Sequence, residues 1–521
     1  MSAKPASAAH VTLIRPALVS AERSFSSPLT PPMGLGYLAG SLLAEGHRVA
    51  VVDAIALGAG RFEVDGGYRY QGLSVDETVA RIPAGTDVIG ISCMFTQDWP
   101  YCRRVIKAVR KRFPSTPIVA GGEHITALPE YVLRDCPELD VCALGEGERT
   151  LIELARVFAG DGSLESVSGL AYRRDGKPFR TAARGRIREV DLIPPPAWGL
   201  FPVETYLTCT NSHGVYRGRT MPILATRGCP YECTFCSSPT MYGTLWLARK
   251  PELVLDEIER YIDRYAAQNI DFYDLTMIIK KSWIIDFCRL IEKRGLRFTW
   301  QLPTGTRSEV IDREVSEALF RTGCRNVTYA PESGSRETLN RIKKRVSLES
   351  VTASIRAALA SGIKVKASLI VGFPEETRRD FLKTIAYGCR LILLGVHDVT
   401  LFIFSPYPGS ELFEQIRAER LQGGLDDAYF RSLVVFMDVT GESTYCRAVG
   451  AFELSAWRFF GLALFYSLSF ALRPWRLFAL IGNIMNDRSE TILEQRAGAI
   501  IHRWISTTRS GGLSLAGPSS R

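Results

Sequence analysis

Short apolar runs alternate with helical patterns twice along this chain, and that alternation restricts it to an α/β architecture. Between residues 11 and 158 the runs Val11–Ile14, Val49–Val52, Val88–Ser92, Pro117–Ala120 and Val141–Leu144 read as buried strands. Helical patterns lie between them, notably Leu35–Glu45, Pro100–Arg112 and Thr150–Ala159. Such alternation predicts a doubly wound, flavodoxin/Rossmann-like parallel sheet with ligands at the carboxyl ends of its strands. From Pro222 the alternation resumes: Ile223–Thr226, Ile270–Leu275, Phe298–Leu302, Asn326–Tyr329, Lys366–Val371 and Asp398–Phe404 are candidate strands. Helices are expected near Pro251–Ala266, Ser282–Arg294, Asp312–Thr322, Leu348–Ser361 and Arg378–Leu394. Six units suit a partial (β/α)6 barrel, open on one side, with its chemistry at the strands' carboxyl ends.

The chain of 521 residues has room for two or three domains. The expected divisions are a disordered 1–10, a first domain 11–160, a connector 161–221, a barrel 222–415, a helical C-terminal region 416–510 and a disordered tail 511–521. In the connector, Arg173–Lys177 reads as a hairpin turn, and Asp191–Ala197, with three prolines, as a rigid crossing. Twelve cysteines without regular pairing, and no signal-peptide pattern, suggest a reducing cytoplasm. The net charge of +9 is uneven, since residues 458–521 hold eight Arg against three acids. No module interleaves basic residues with stacking aromatics, so no nucleic-acid partner is expected.

The most specific motif is Cys229-x3-Cys233-x2-Cys236, with Phe235 just before the third cysteine. Zinc would want a fourth ligand at fixed spacing, yet Cys288, Cys324, Cys389 and Cys446 are single and scattered, and His213 is too far upstream. Three thiolates can instead hold three irons of a [4Fe–4S] cluster, leaving the fourth iron open.

This spacing resembles that of radical S-adenosylmethionine (radical SAM) enzymes. The strand-end residues extend the likeness: Glu332-Ser333-Gly334 resembles the step that contacts SAM's ribose and amino acid portion, Gly372-x-x-Glu375 the glycine turn beside its adenine, and Asp274 stands where an acid meets the SAM amino group. In the first domain, Ser92 followed by Gly121-Gly122 is similar to cobalamin-binding domains. There the serine bonds the dimethylbenzimidazole tail and the glycines let the backbone lie close to the nucleotide. The cobalt-ligating histidine loop is missing; His10 precedes the first strand and His47 the second. Two readings follow: a degenerate domain that binds nothing, or cobalamin bound with no histidine below the metal (His-off). Pro31–Tyr37 and Leu144-Gly145-Glu146-Gly147-Glu148 resemble the cobalamin-dependent radical SAM subfamily and favour the second. Glu123 and His124, beside the glycines, read as loop contacts without assigned chemistry.

The resemblance covers about residues 11–415. It implies a methyltransferase acting on an unactivated carbon of a small-molecule or lipid-like substrate, through a 5′-deoxyadenosyl radical and methylcobalamin, with an external flavodoxin- or ferredoxin-type electron donor. A cyclase or rearrangement enzyme using cobalamin without methyl transfer is the alternative, and a non-catalytic Fe–S/corrinoid module a second. In the tail, Phe459–Leu472 is 14 residues without a charge, too short for a bilayer span, and Arg473-Pro474 separates it from the next apolar run. It reads either as a cap over the barrel's open side or, through 458–486, as an amphipathic membrane contact.

Overall fold

The computed structural model describes residues 8–22, 28–210, 212–307, 310–421, 424–436, 443–486 and 488–510. Residues 1–7 and 511–521, expected to be disordered, lie outside these. Ala9 is buried and His10 opens the first strand, so order begins before residue 11.

In the first sheet the parallel strands His10–Arg15, Arg48–Asp53, Val88–Ser92, Ile118–Gly121 and Val141–Ala143 take the order second, first, third, fourth, fifth. The order reverses between the first and third strands, the switch point at which a crevice opens beyond the carboxyl ends. The expected hairpin forms, with Asp175 and Gly176 both at positive φ as a two-residue turn requires. Leu170–Arg174 pairs antiparallel to Val141–Ala143 and Lys177–Arg180 pairs antiparallel to Leu170–Arg174, so this part of the presumed connector continues the first sheet. A small antiparallel sheet of Leu18–Ala21, Phe62–Asp65 and Tyr68–Gln71 was not expected.

The second sheet is six parallel strands in chain order: Thr220–Ile223, Asn269–Phe272, Thr299–Thr306, Cys324–Glu332, Lys364–Val371 and Asp398–Ile403. Its first strand stops three residues earlier than the apolar run suggests. Thr226–Arg227 turns away to pair with Leu247–Ala248, starting the cysteine loop off the barrel wall. Local chemistry sets the helix starts: Thr377 and Asp380 form a reciprocal capping box ahead of Arg378–Leu394, and Ser347 caps Leu348–Ala360.

The helix Ala451–Leu472 packs on the last helix and strand of the barrel, Arg378–Leu394 and Asp398–Ile403. At 22 residues it exceeds the uncharged 14-residue run and is long and apolar enough to cross a membrane by length and composition. Glu453 lies in its first turn, where an acid suits the helix N-terminus, and pairs with Arg378 at 2.6 Å. The helix packs tightly on the barrel: a Cβ on Gly388 would come within 2.5 Å of the Phe465 ring. Arg473 and Arg476 donate to the carbonyls of Ile392, Leu393, Gly395 and Val396, satisfying the end of Arg378–Leu394. These two arginines are thus engaged inside the fold. The next helix, Trp475–Met485, has no buried residue.

Candidate functional site

A cavity of about 290 Å³ lies between the carboxyl edge of the first sheet and the barrel mouth. Ser92 and Gly121 are direct partners in the parallel ladder and both line it. The two neighbouring glycines act differently. A Cβ on Gly121 would meet only Ala143, at 3.8 Å, so the position presents bare backbone to the cavity. Gly122, at φ +125°, lies against the next loop, where a Cβ would sit 2.3 Å from the Cys93 carbonyl oxygen. Met33, Gly34 and Tyr37 complete the wall, and no histidine lines it among the described residues. His10 bonds Gly85, His47 accepts from the Ala9 amide, and buried His124 meets Thr96, all in supporting roles. This bare, concave wall fits a large planar cofactor carrying no histidine ligand.

Across the cavity stand Thr226, Arg227 and Gly228, the root of the cysteine loop. Cys229, Cys233 and Cys236 are half-buried free thiols; Cys229 adds to the upward shift of Cys233, and both add to that of Cys236. Burial pushes all three up, Cys236 to about 12, so metal binding must displace their protons. No three His, Cys, Asp or Glu among the described residues are gathered to hold one metal ion. In a [4Fe–4S] cubane each of three thiolates would take a different iron.

The first domain grips this loop at both ends. Arg227 reaches Glu148 at 2.6 Å and Glu146 at 3.2 Å, its guanidinium over the Tyr37 ring at 4.8 Å. Burial alone would depress Arg227, but Glu148 and Glu146 raise it above its ordinary value. Arg186 also holds Glu146, at 2.8 Å. Beyond the cysteines, Ser237 donates to Glu123, whose buried carboxyl is shifted upward.

The strand-end motifs converge on the mouth, but several side chains are committed elsewhere. Asp274 accepts from the Thr226 amide and hydroxyl and from the Ala225 amide at 3.3 Å, and burial lifts it to about 6. It anchors the loop's root and does not face outward for an amino group. Ser333 is fully buried, its hydroxyl 2.9 Å from Thr384 and its amide donating to the Pro331 carbonyl at 2.9 Å, so neither is turned to a ligand. Glu375 is exposed and paired with Arg341 and Arg447. The neighbouring Glu376 closes the turn instead, accepting from the Gly372 and Phe373 amides at 2.7 and 3.1 Å. Glu332 does point inward, held at φ +66° and bound by Lys344 at 2.8 Å. Lys344 and Arg307, absent from the sequence reading, place two cations beside the cysteines; Arg307 lies over the Tyr231 ring at 3.4 Å and donates to the Lys344 and Arg345 carbonyls. Each comes from a segment distant from the triplet, with no local pattern to flag it.

A corrinoid-type domain facing a three-cysteine loop on an open barrel defines a two-cofactor radical enzyme. Models of known families agree: the radical SAM superfamily matches residues 223–388, and the B12 binding domain residues 26–155. The uncharacterized methyltransferase PH0819 of Pyrococcus horikoshii is 30% identical over 413 residues, 79% of this chain and 84% of that protein. Among solved structures, the radical SAM methyltransferase TsrM of Kitasatospora setae, with cobalamin and a [4Fe–4S] cluster bound, superposes with TM-score 0.62 at 19% identity over 79% of this chain and 78% of that one. The cobalamin-dependent radical SAM enzyme OxsB, with aqua-cobalamin and S-adenosylmethionine bound, gives 0.67 at 14% identity over 99% and 82%. The chain belongs to the radical SAM superfamily, in the group that carries a B12 binding domain ahead of the barrel.

Proposed function

We propose that this enzyme is a cobalamin-dependent radical SAM methyltransferase acting on an unactivated carbon of a small-molecule or lipid-like substrate. The observation that carries this reading is one cavity walled by Ser92 and Gly121 on one side and by the root of the cysteine loop on the other. When bound, the [4Fe–4S] cluster with SAM supplies a 5′-deoxyadenosyl radical that takes a hydrogen atom, and cobalamin supplies the methyl group.

The chain's own residues bind, orient and shield. Cys229, Cys233 and Cys236 would hold three irons, and Lys344 and Arg307 offset the negative charge that three thiolates bring. Glu332, fixed by Lys344, is the acceptor for SAM's hydroxyl or ammonium groups. The Gly372 turn, braced by Glu376, would receive the adenine. Ser92, Gly121 and Gly122 receive the corrinoid's nucleotide tail, and Asp274 acts as a positioning residue for the loop. Tyr273, Leu275 and Met94 narrow the gap and exclude water from it.

The test is reconstituted protein given methyl-labelled SAM, hydroxocobalamin, a reductant and a metabolite extract. Methylation yields S-adenosylhomocysteine and 5′-deoxyadenosine together, with label in a product. 5′-Deoxyadenosine alone moves the reading to ring closure or rearrangement. Neither product, with a cluster EPR signal indifferent to SAM, leaves a binding module.

The electron comes from an external flavodoxin- or ferredoxin-type donor. The buried cysteines Cys93, Cys102, Cys136, Cys142, Cys288, Cys324 and Cys446 are free thiols, which suits a reducing cytoplasm. We further place Trp475–Met485 at a membrane surface, because Trp475, Phe478, Ile481 and Met485 are all exposed. Co-sedimentation with anionic vesicles, lost in the double variant Phe478→Glu/Ile481→Glu, checks this; a variant that still sediments removes it.

A further inference from the structure

The barrel encloses a second polar site, below the cofactor cavity. Its floor is the segment Ser212–Val215, held by the Gly214 amide on Asp271 at 3.2 Å and the Val215 amide on Gln301 at 3.1 Å. The helix Ile492–Ser510 closes it from beneath, with Gln495 bonded to Ser212 and to the Tyr216 amide.

Lys364 and His397 also line this space but are engaged with Glu490 and with the Val365 amide, which leaves two other side chains to consider. On Lys364–Val371 burial alternates, with Val365, Ala367 and Leu369 in the core and Lys366, Ser368 and Ile370 facing the lumen. Lys366 has no hydrogen bond or ion pair among the described residues. Neither carboxylate near it is free. Asp398 accepts from the Ile492 and Leu493 amides, at 2.8 and 3.3 Å. Asp271 accepts from Gly214, Asn269 and Gln301. His213 is the second group: it rises from the floor and packs edge-on against Tyr273 at 5.4 Å. Its ring lies open to the lumen and also has no hydrogen bond among the described residues. Lys366 and His213 line the same small hollow, and Arg496 approaches both.

Lys366 is half-buried and His213 exposed, so both are reached from the lumen, and an acceptor entering it would meet two groups with no hydrogen bond of their own among the described residues. Tyr273 links this site to the chemistry, since it stacks on His213 and also lines the cofactor cavity. We propose that the lumen seats an oxyanion of the substrate, of phosphonate, phosphate or carboxylate type, against Lys366 and His213. The substrate's carbon body then runs past Tyr273, presenting a C–H bond at the mouth. This rests on the barrel being the substrate's site.

The test is calorimetric titration of the cofactor-loaded protein with n-butylphosphonate, butyrate, n-butylammonium and 1-pentanol. The wild type should bind the two anions and neither of the others, with the preferred anion naming the headgroup. Lys366→Met should weaken anion binding about tenfold or more, as expected for loss of a charge-assisted hydrogen bond. Lys366→Arg should recover most of it. Equal binding of neutral and anionic probes by the wild type, or unchanged anion binding in Lys366→Met, overturns the proposal. If Lys366→Met fails to hold its cofactors by absorbance, the wild-type preference and Lys366→Arg decide. Binding needs no turnover, so a protein that binds the anion but forms neither SAM-derived product refutes the methyltransferase reading alone.

Discussion

Arg227, two residues before the first cluster cysteine, lies 2.6 Å from Glu148 of the first domain, and both side chains are about nine-tenths buried. Removing one member of a buried pair leaves the other uncompensated, at about 3–5 kcal/mol. Arg227→Met should therefore lower the stability of the cofactor-free protein by that order in urea titration. It should also weaken cobalamin retention, measured by absorbance after gel filtration, although Arg227 is not a residue of the corrinoid domain.

Gly121 and Gly122 should part company on substitution. Gly121→Leu directs a side chain into the cavity, so cobalamin binding should be lost while the melting temperature of the cofactor-free protein hardly moves. Gly122→Ala collides with the Cys93 carbonyl and strains a left-handed position, costing about 1–3 kcal/mol before any cofactor is added. Thermal melts and cobalamin titrations on both variants separate the effects.

For Asp274 the two assignments diverge experimentally. As the anchor of Thr226 and Ala225 it should matter for building the cluster, so Asp274→Ala should reduce iron content per chain. The fraction that does load should bind SAM with an affinity within about threefold of wild type, roughly 0.7 kcal/mol. A loaded fraction with SAM affinity lost would restore direct contact with the amino group.

Burial pushes the Glu376 carboxyl up to about 8, against an ordinary 4.5, despite the amides of Phe373 and Gly372. Between those values the folded chain holds a proton that the unfolded chain has released. Unfolding free energy therefore falls as pH rises through this window, by up to about 1.4 kcal/mol per unit. Glu376→Gln removes the titrating group, so its stability relative to wild type should improve steadily from about pH 5 to pH 8 in urea titrations.

Local pattern carried the architecture well. Val88–Ser92 and Arg378–Leu394 begin and end where the apolar periodicity and capping residues place them. The meeting of Ser92 with Gly121 follows once the sheet is parallel. What could not be read depends on partners far away in the chain. Glu148 and Arg227 are 79 positions apart, and nothing near Lys344 announces Glu332. The exchange of Glu375 for Glu376 is a one-residue matter: on a tight turn adjacent side chains point oppositely, and the motif does not say which carboxyl closes it. The cap helix was underestimated because Glu453 and Arg458 interrupt its apolar run, whereas an acid in the first turn suits a helix N-terminus and Glu453 pairs there with Arg378.

The cysteine loop is held ahead by Arg227 on Glu146 and Glu148, and behind by Ser237 on Glu123. All three carboxylates belong to a segment the ribosome completes before the first cysteine emerges. The mould thus precedes the casting, and iron loading becomes a late step that waits on docking of an already folded first domain. A barrel expressed from residue 222 alone, or grafted behind a foreign corrinoid domain, lacks that mould. The two halves look like separable modules, yet each holds part of what fixes the cysteine loop.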